Sequence, residues 1–494
     1  MQIQSYARLF NLTVVLLAAN LVLGGMAQAR PAPDSFADLA AHLSPAVVNV
    51  ATTQTVTGPE ANEMPQFPPG SPFEDLFKDF FDQQHEKGQA RKVSSLGSGF
   101  IIDASGIVVT NNHVIGKADE ISVNLSDGTQ LPAKVVGRDT KTDLAVLKVE
   151  SKQPLPFVKF GSSATMRVGD WVLAIGNPFG LGGSVSAGII SAQNRNINSG
   201  PYDSFLQTDA AINRGNSGGP LFNMNGEVIG VNTAIISPSG GSIGIGFAIP
   251  SDIVSNVVAQ LQQFGETRRG WLGVRIQSVT EELAENFGLL KPRGALIAEV
   301  TPKGPAAMAG IKAGDVVIRF NGQPVPEMSD LPRIVAETAV GKEVDVVVWR
   351  DGKEKNFRVL LGRLEEFEKS AASEETGGEQ PGAQPSGTEV KDLGLLLAPL
   401  SPALRDQFQL GSDVNGVAVV AIHDGGPGQE KGIRPGDIIV EVAQQEVRTP
   451  EEVKDKIAAA KKDGKKSVLL LLYRGGDLRF VAVKLGEDAP AGKK

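Results

Sequence analysis

The chain has 494 residues, 41% of them hydrophobic, with 57 glycines, 30 prolines and a net charge of −8. That length allows roughly three domains, and the acidic balance offers no basic face of the kind nucleic-acid binding needs. With no cysteine, and only His42, His85, His113 and His423 scattered along the chain, disulfides, thiolate metal sites, cysteine nucleophiles and an HExxH metal site are excluded, and no metal or cofactor is expected.

Residues 1–29 stand apart. Arg8 precedes the apolar run LFNLTVVLLAANLVLGGM, and Ala27-Gln28-Ala29 supplies the small residues of a cleavage site. The segment reads as a secretory signal peptide removed after Ala29, with no membrane span expected in the mature chain. Residues 55–95 read as a long loop rich in proline and charge. Within it Phe73, Leu76, Phe77, Phe80 and Phe81 are spaced for a short amphipathic helix that docks either on its own domain or on another subunit.

From 96 to 250, short apolar runs such as GSGFIID, GIVVTN, LAVLKV, DWVLAIG and GEVIGVNTAII are separated by Gly, Asp, Asn and Pro. This pattern predicts an all-β sandwich or barrel. A helix follows, with Ile253, Val257, Val258 and Leu261 on one face and Ser251 as N-cap, so the domain is placed at 30–264. The C-terminal half then repeats itself. GPAAMAGIKAGDVVIRFNGQPV starts at Gly304 and GPGQEKGIRPGDIIVEVAQQEV at Gly426, 122 residues later (426 − 304). Two similar small domains are expected at 268–363 and 389–486. The acidic, Gly-, Ser- and Pro-rich stretch 365–388 between them reads as a flexible linker.

Ser217 lies in the turn Gly215-Asn216-Ser217-Gly218-Gly219. A glycine-rich turn alone marks only a tight bend; a nucleophile needs a base, an orienting partner and oxyanion donors. His113 ends an apolar strand in VVTNNHVI. Asp143 precedes another strand in DTKTDLAVLKV, with Asp139 as a rival nearby. The order His, Asp, Ser is that of the chymotrypsin arrangement, unlike the α/β-hydrolase or subtilisin orders. Ser217 would attack a carbonyl carbon, His113 would take its proton and pass it to the leaving amine, and Asp143 would hold the imidazole. The oxyanion hole is expected at Gly215, Asn216 and Ser217, with the N–H groups of Gly215 and Ser217 donating and Asn216 shaping the turn.

The blocks TNNHVI, TDLAVLKV, IGNPFGL and QTDAAINRGNSGGPLFN resemble the signature of the HtrA (Do-like) serine proteases. The two repeats resemble PDZ domains in that family's tandem arrangement, nearest its periplasmic DegP, DegQ and MucD group. The resemblance implies a mainly β chain: a chymotrypsin-type double β-barrel followed by two small α+β PDZ domains. It further implies ATP-independent cleavage of unfolded or misfolded proteins in the periplasm under envelope stress, a chaperone-like holding activity, and assembly from homotrimers or multiples of trimers. Members can carry a disulfide in the long N-terminal loop; here that loop has no cysteine.

The same resemblance implies that Thr233, Ala234 and Ile235 offer backbone hydrogen bonds to a substrate strand. The neighbouring loop SPSGGSIGIGF holds no carboxylate, so a small or medium aliphatic P1 residue is expected. In the first repeat RRGWLGVRI resembles a PDZ carboxylate loop, with Leu272, Gly273 and Val274 capturing a C-terminal peptide and Arg269 assisting. In the second, DLGLLLAPL around Gly394 is a poorer match and suggests a part in assembly. Peptide binding at the first PDZ domain is expected to order the glycine-rich loops 178–201 and 237–246. The competing reading is a non-catalytic, PDZ-based holding chaperone.

Overall fold

The computed structural model describes residues 33–56 and 91–485, except 117, 179–182, 214, 238–240, 372–386, 412–413 and 424. The expected signal segment therefore lies outside the described residues. The chain opens on helix α1 (Ala37–Leu43), and Phe36 just before it meets Trp171 with ring centroids 5.7 Å apart. Two closed six-stranded barrels follow, the expected double-barrel architecture. The first comprises β1 (Val47–Val56), β2 (Arg91–Asp103), β3 (Ile107–Asn111), β4 (Glu120–Asn124), β5 (Gln130–Asp139) and β6 (Leu144–Val149), in the order β1-β2-β3-β6-β5-β4, with the short helix α2 (Asn112–Ile115) after β3. The second comprises β7 (Trp171–Gly176), β8 (Ser184–Arg195), β9 (Phe205–Thr208), β10 (Pro220–Phe222), β11 (Val228–Ile235) and β12 (Gly246–Pro250), in the order β10-β11-β12-β9-β8-β7.

Side-chain alternation fixes both barrels and the seam between them. In β6, Ala145 and Leu147 fill the first barrel while Leu144 and Val146 face the seam. In β7, Val172 and Ala174 fill the second barrel while Leu173 and Ile175 face the same seam. Strands buried on both faces read as continuous apolar runs, which is why LAVLKV and WVLAIG show little polar alternation. Phe100 and Phe222 are fully buried in the seam, each contributing roughly 1.5–3 kcal/mol by leaving water. β1 and β2 pair further out than the sequence suggests, with Thr55 opposite Lys92 and Val56 opposite Arg91. These strands take both ends of the loop expected over 55–95, and its remainder, 57–90, with its expected helix, lies outside the described residues.

Helix α3 (Ser251–Phe264) closes the domain by burying Val254, Val257, Val258 and Leu261 against the seam. Ser251 is not its N-cap. Pro250 takes that position, and the Ser251 hydroxyl donates instead to the Gly161 carbonyl at 2.7 Å.

The first repeat contains β13 (Gly270–Trp271), β14 (Val274–Ser278), α4 (Glu281–Asn286), β15 (Ala295–Val300), α5 (Pro305–Met308), β16 (Val316–Phe320), β17 (Gln323–Pro324), α6 (Asp330–Glu337), β18 (Glu343–Arg350), β19 (Lys353–Leu360) and β20 (Gly362–Arg363). Its sheet runs β14-β15-β16-β18-β19, and β13 pairs with β20. Helix α7 (Leu364–Ala371) then occupies the start of the expected flexible linker, where Phe367 stacks on Trp271 at 4.2 Å. The sequence reading missed this helix because its anchor lies about a hundred residues back in the chain. The second repeat contains β21 (Thr388–Val390), β22 (Leu395–Pro399), α8 (Pro402–Gln407), β23 (Val417–Ile422), α9 (Pro427–Glu430), β24 (Ile438–Val442), β25 (Gln445–Glu446), α10 (Pro450–Lys462), β26 (Ser467–Arg474) and β27 (Asp477–Lys484).

The Gly-Asp pair common to both repeats has a structural reason. Asp315 and Asp437 are each about 1% exposed and accept the guanidinium groups of Arg350 and Arg474. A carboxylate so deeply buried needs a paired cation. The two repeats also share a core: Phe287, Leu296 and Ile318 of the first pack with Leu471, Phe480 and Ala482 of the second. The Gln277 side-chain amide clasps the Phe480 backbone, donating to its carbonyl at 3.0 Å and accepting its N–H at 2.8 Å.

Candidate active site

His113 lies on α2, at the point where β3 leaves the first barrel. Val114 and Ile115 sink into that barrel's core and hold the helix down. The imidazole itself is 8% exposed. Its Nδ1 meets Asp143 Oδ2 at 2.6 Å, and its backbone N–H donates to Asp143 Oδ1 at 2.8 Å. Asp143 therefore grips both the ring and the backbone of one residue. Its own φ of 55° is left-handed, costly for a non-glycine residue unless the surroundings enforce it. They do: the Asp143 carbonyl accepts Asn112 N–H at 3.1 Å and Asn111 Nδ2 at 2.8 Å. The rival Asp139 serves elsewhere. It accepts the Thr142 hydroxyl and the Lys141 N–H, and it pairs with Arg269.

Ser217 comes from the second barrel and is drawn to the first through backbone contacts. Its carbonyl accepts the Ser98 N–H at 2.9 Å. The Ser217 hydroxyl points along β11 and donates to the Thr233 carbonyl at 3.4 Å. Asn111 closes the circuit, because its Nδ2 also reaches Thr233 Oγ1 at 3.0 Å. The nucleophile candidate, the turn carrying Asp143 and the residue two before His113 thus meet around one threonine. Gly218 has no alternative here: its φ is 83°, and a Cβ would lie 2.2 Å from the Ser98 carbonyl oxygen.

The expected oxyanion donors divide. The N–H groups of Gly215 and Ser217 have no acceptor among the described residues. The Asn216 N–H is consumed by the Asn213 carbonyl at 3.0 Å. The Asn216 side chain is 3% exposed and packs so closely behind Gly176 that a Cβ there would lie 2.2 Å from its Oδ1. Asn216 is therefore a strut of the turn, and its place among the oxyanion residues is withdrawn. Two such unpaired amides two residues apart can serve as an anion cradle. Sequence reasoning missed the residue that sets this turn. Ser98 on β2 donates to the Gly215 carbonyl at 2.5 Å and accepts the Asn177 N–H at 2.8 Å. GSGF carries no local sign of that task, since its partners lie 117 and 79 residues away.

Thr233, Ala234 and Ile235 form the end of β11, with β12 on one side: Ala234 faces Phe247 and Ile235 faces Gly246. On the opposite side β10 stops at Pro220, opposite Val231. Gly218 and Gly219 carry that pairing to Asn232, and among the described residues no strand pairs with 233–235 on this side, an edge suited to an added strand. As whole residues Thr233, Ala234 and Ile235 are 0%, 2% and 6% exposed, with Ala234 in the seam and Ile235 in the second barrel's core.

In the first repeat Leu272 and Gly273 turn their carbonyls inward, accepting the N–H groups of Ala306 and Thr301, each at 2.9 Å. A trans peptide points its N–H opposite its carbonyl, so the amides of Gly273 and Val274 face away from those bonds, beside the edge of β14 that pairs with no strand among the described residues. Arg269 is not part of this loop. It is 5% exposed and faces the protease domain, paired with Asp139, 3.6 Å from Glu365 and 4.9 Å above the Tyr202 ring. A buried guanidinium follows its carboxylates, and two of them lie on that side. Burial pushes the Tyr202 phenol up to about 12, with Arg269 pulling it down, so the ring stays neutral beneath the cation. Lys141, two residues from Asp143, pairs with Glu368 of α7.

Residues 97–231 match the trypsin-like peptidase domain family, and residues 270–361 and 419–474 match PDZ domain families. The chain is 42% identical to a probable periplasmic serine endoprotease DegP-like of Bartonella henselae, over 94% of this chain and 92% of the relative. It is 43% identical to a protein of the same description from Halomonas elongata, over 96% and 98%. Among solved structures it is similar to an HtrA-type protease, AlgW with decapeptide, with TM-score 0.54 and 41% identity over 67% of this chain and 98% of that one. With its two-barrel trypsin-like domain and paired PDZ domains, the chain belongs to the DegP-like, HtrA-type family of serine endopeptidases.

Proposed function

We propose that the chain is a periplasmic endoprotease that cleaves unfolded or misfolded polypeptides without ATP, using Ser217 as nucleophile, His113 as base and Asp143 as its orienting partner. The observation that carries this reading is the double grip of Asp143 on His113, 2.6 Å to the ring and 2.8 Å to the backbone. With Nδ1 engaged, Nε2 is the nitrogen that takes the Ser217 proton and later returns it to the leaving amine. The carbonyl oxygen of the scissile bond turns into an oxyanion between the amides of Gly215 and Ser217. Substrate lies as a strand on the edge of β11 at Thr233–Ile235, with a small or medium aliphatic residue before the cut.

The first PDZ domain supplies a second handle: the amides of Gly273 and Val274 receive a C-terminal carboxylate while the peptide pairs with β14. The periplasmic setting rests on the names of the relatives and on the export-type segment 1–29. A role in envelope stress and a holding activity beside cleavage complete the proposal. The test is digestion of reduced casein by the chain lacking residues 1–29, against Ser217→Ala. The parent should cleave and the variant should lose about 10⁶-fold in kcat while still suppressing aggregation of an unfolded client. Equal cleavage by both proteins removes Ser217 from the mechanism.

A further inference from the structure

The two PDZ domains turn their carboxylate loops in the same way, and only one of them is open. In the first, the Leu272 and Gly273 carbonyls accept the N–H groups of Ala306 and Thr301. In the second, the Leu393 and Gly394 carbonyls accept the N–H groups of Gly428 and His423, again each at 2.9 Å. The two loops thus share these carbonyl bonds, but the Gly394 N–H donates to the Lys391 carbonyl at 3.0 Å, whereas the Gly273 N–H has no acceptor among the described residues. Their surroundings differ as well. Among the described residues β14 has β15 as its one ladder neighbour, and no strand lies on its other edge. β22 has β23 on one side and β21 on the other.

β21 runs antiparallel to β22, with Thr388 opposite Leu397, Glu389 opposite Leu396 and Val390 opposite Leu395. That is the direction in which a C-terminal peptide adds to a PDZ domain, its last residue nearest the loop. Val390 stands where the last side chain of such a peptide would stand. It is 2% exposed and buried in one cluster with Leu393, Leu395 and the α10 residues Val453, Ile457 and Ala460. Its carbonyl accepts the Leu393 N–H at 3.1 Å, taking up a loop amide whose counterpart at Leu272 has no acceptor among the described residues. Asp392 pairs with Lys461 of α10 at 2.5 Å, and Glu389 lies 3.2 Å from His423 Nε2. We infer that Thr388-Glu389-Val390 is an internal ligand of the second PDZ domain, and that this groove takes a hydrophobic C-terminal peptide only when β21 leaves. The inference rests on the proposed peptide reading of the first domain only for the number of sites counted below.

The test is a calorimetric titration of the Ser217→Ala chain, which does not digest the probe, with a synthetic decapeptide ending in Thr-Glu-Val and a free carboxylate. The parent should bind one equivalent. Val390→Asp, which puts a charge into the apolar cluster and expels β21, should bind one equivalent more. Hydrogen exchange of β26 and β27 shows whether the second domain is still folded; Val390→Ala serves if the aspartate unfolds it. A folded variant with an unchanged count overturns the inference, as does a parent chain that already binds two. A parent that binds none counts against the first-domain reading alone, because the gain of one in the variant is still counted.

Discussion

The two barrels bring different kinds of chemistry to the cleft. The first contributes side chains: His113 and Asp143, locked by bonds from Asn111 and Asn112 into a geometry that includes a left-handed aspartate. In the proposed mechanism the second contributes backbone, namely the amides of Gly215 and Ser217 and the edge of β11, together with one hydroxyl. Substitution therefore acts directly on the first half of the site and, in the second, directly only at Ser217. Elsewhere in the second half it acts through what holds the chain in shape, and Ser98, a residue of the first barrel, is such a holder.

This division can be broken or sharpened by substitution. Asp143→Asn keeps the shape but not the charge, and should lower kcat by about 10⁴-fold with little change in KM, measured on a chromogenic peptide. Arg269→Ala strands the buried Asp139 and should cost about 3–5 kcal/mol of stability in denaturant unfolding; a loss under 1 kcal/mol would mean that water reaches the pair. Ser98→Ala releases the Gly215 carbonyl and should cost about 10²–10³ in kcat, although Ser98 touches no substrate atom in the proposed mechanism. Asn216→Ala removes only a strut side chain and should cost least; a loss equal to that of Ser98→Ala would return Asn216 to the oxyanion hole.

Much of this was legible in the sequence, for identifiable reasons. Apolar runs buried on both faces announced the barrels, and the glycines flanking Ser217 announced a turn that only glycine can make. What escaped notice depends on distant partners. Ser98, the Thr233 hydroxyl and Asn111 matter because strands far apart in sequence converge, and no local pattern records that. Arg269 was misplaced because adjacency to Leu272 suggested a shared task, whereas Asp139, 130 residues earlier, decides where its charge points. Ser251 looked like an N-cap by type, but a carbonyl at Gly161 claimed its hydroxyl. Asn216 was grouped with its neighbours by position, though one backbone bond separates it from them.

The shared core of Phe287, Phe480 and their neighbours bears on how the C-terminal half behaves once damaged. A protease cutting between residues 371 and 388 would sever the chain without separating the pieces. On a denaturing gel the molecule would run as two bands. On a sizing column it would still travel as one particle, and on heating the two PDZ domains would melt in a single step. The covalent tether sets the order of the domains along the chain, while the apolar seam keeps them together.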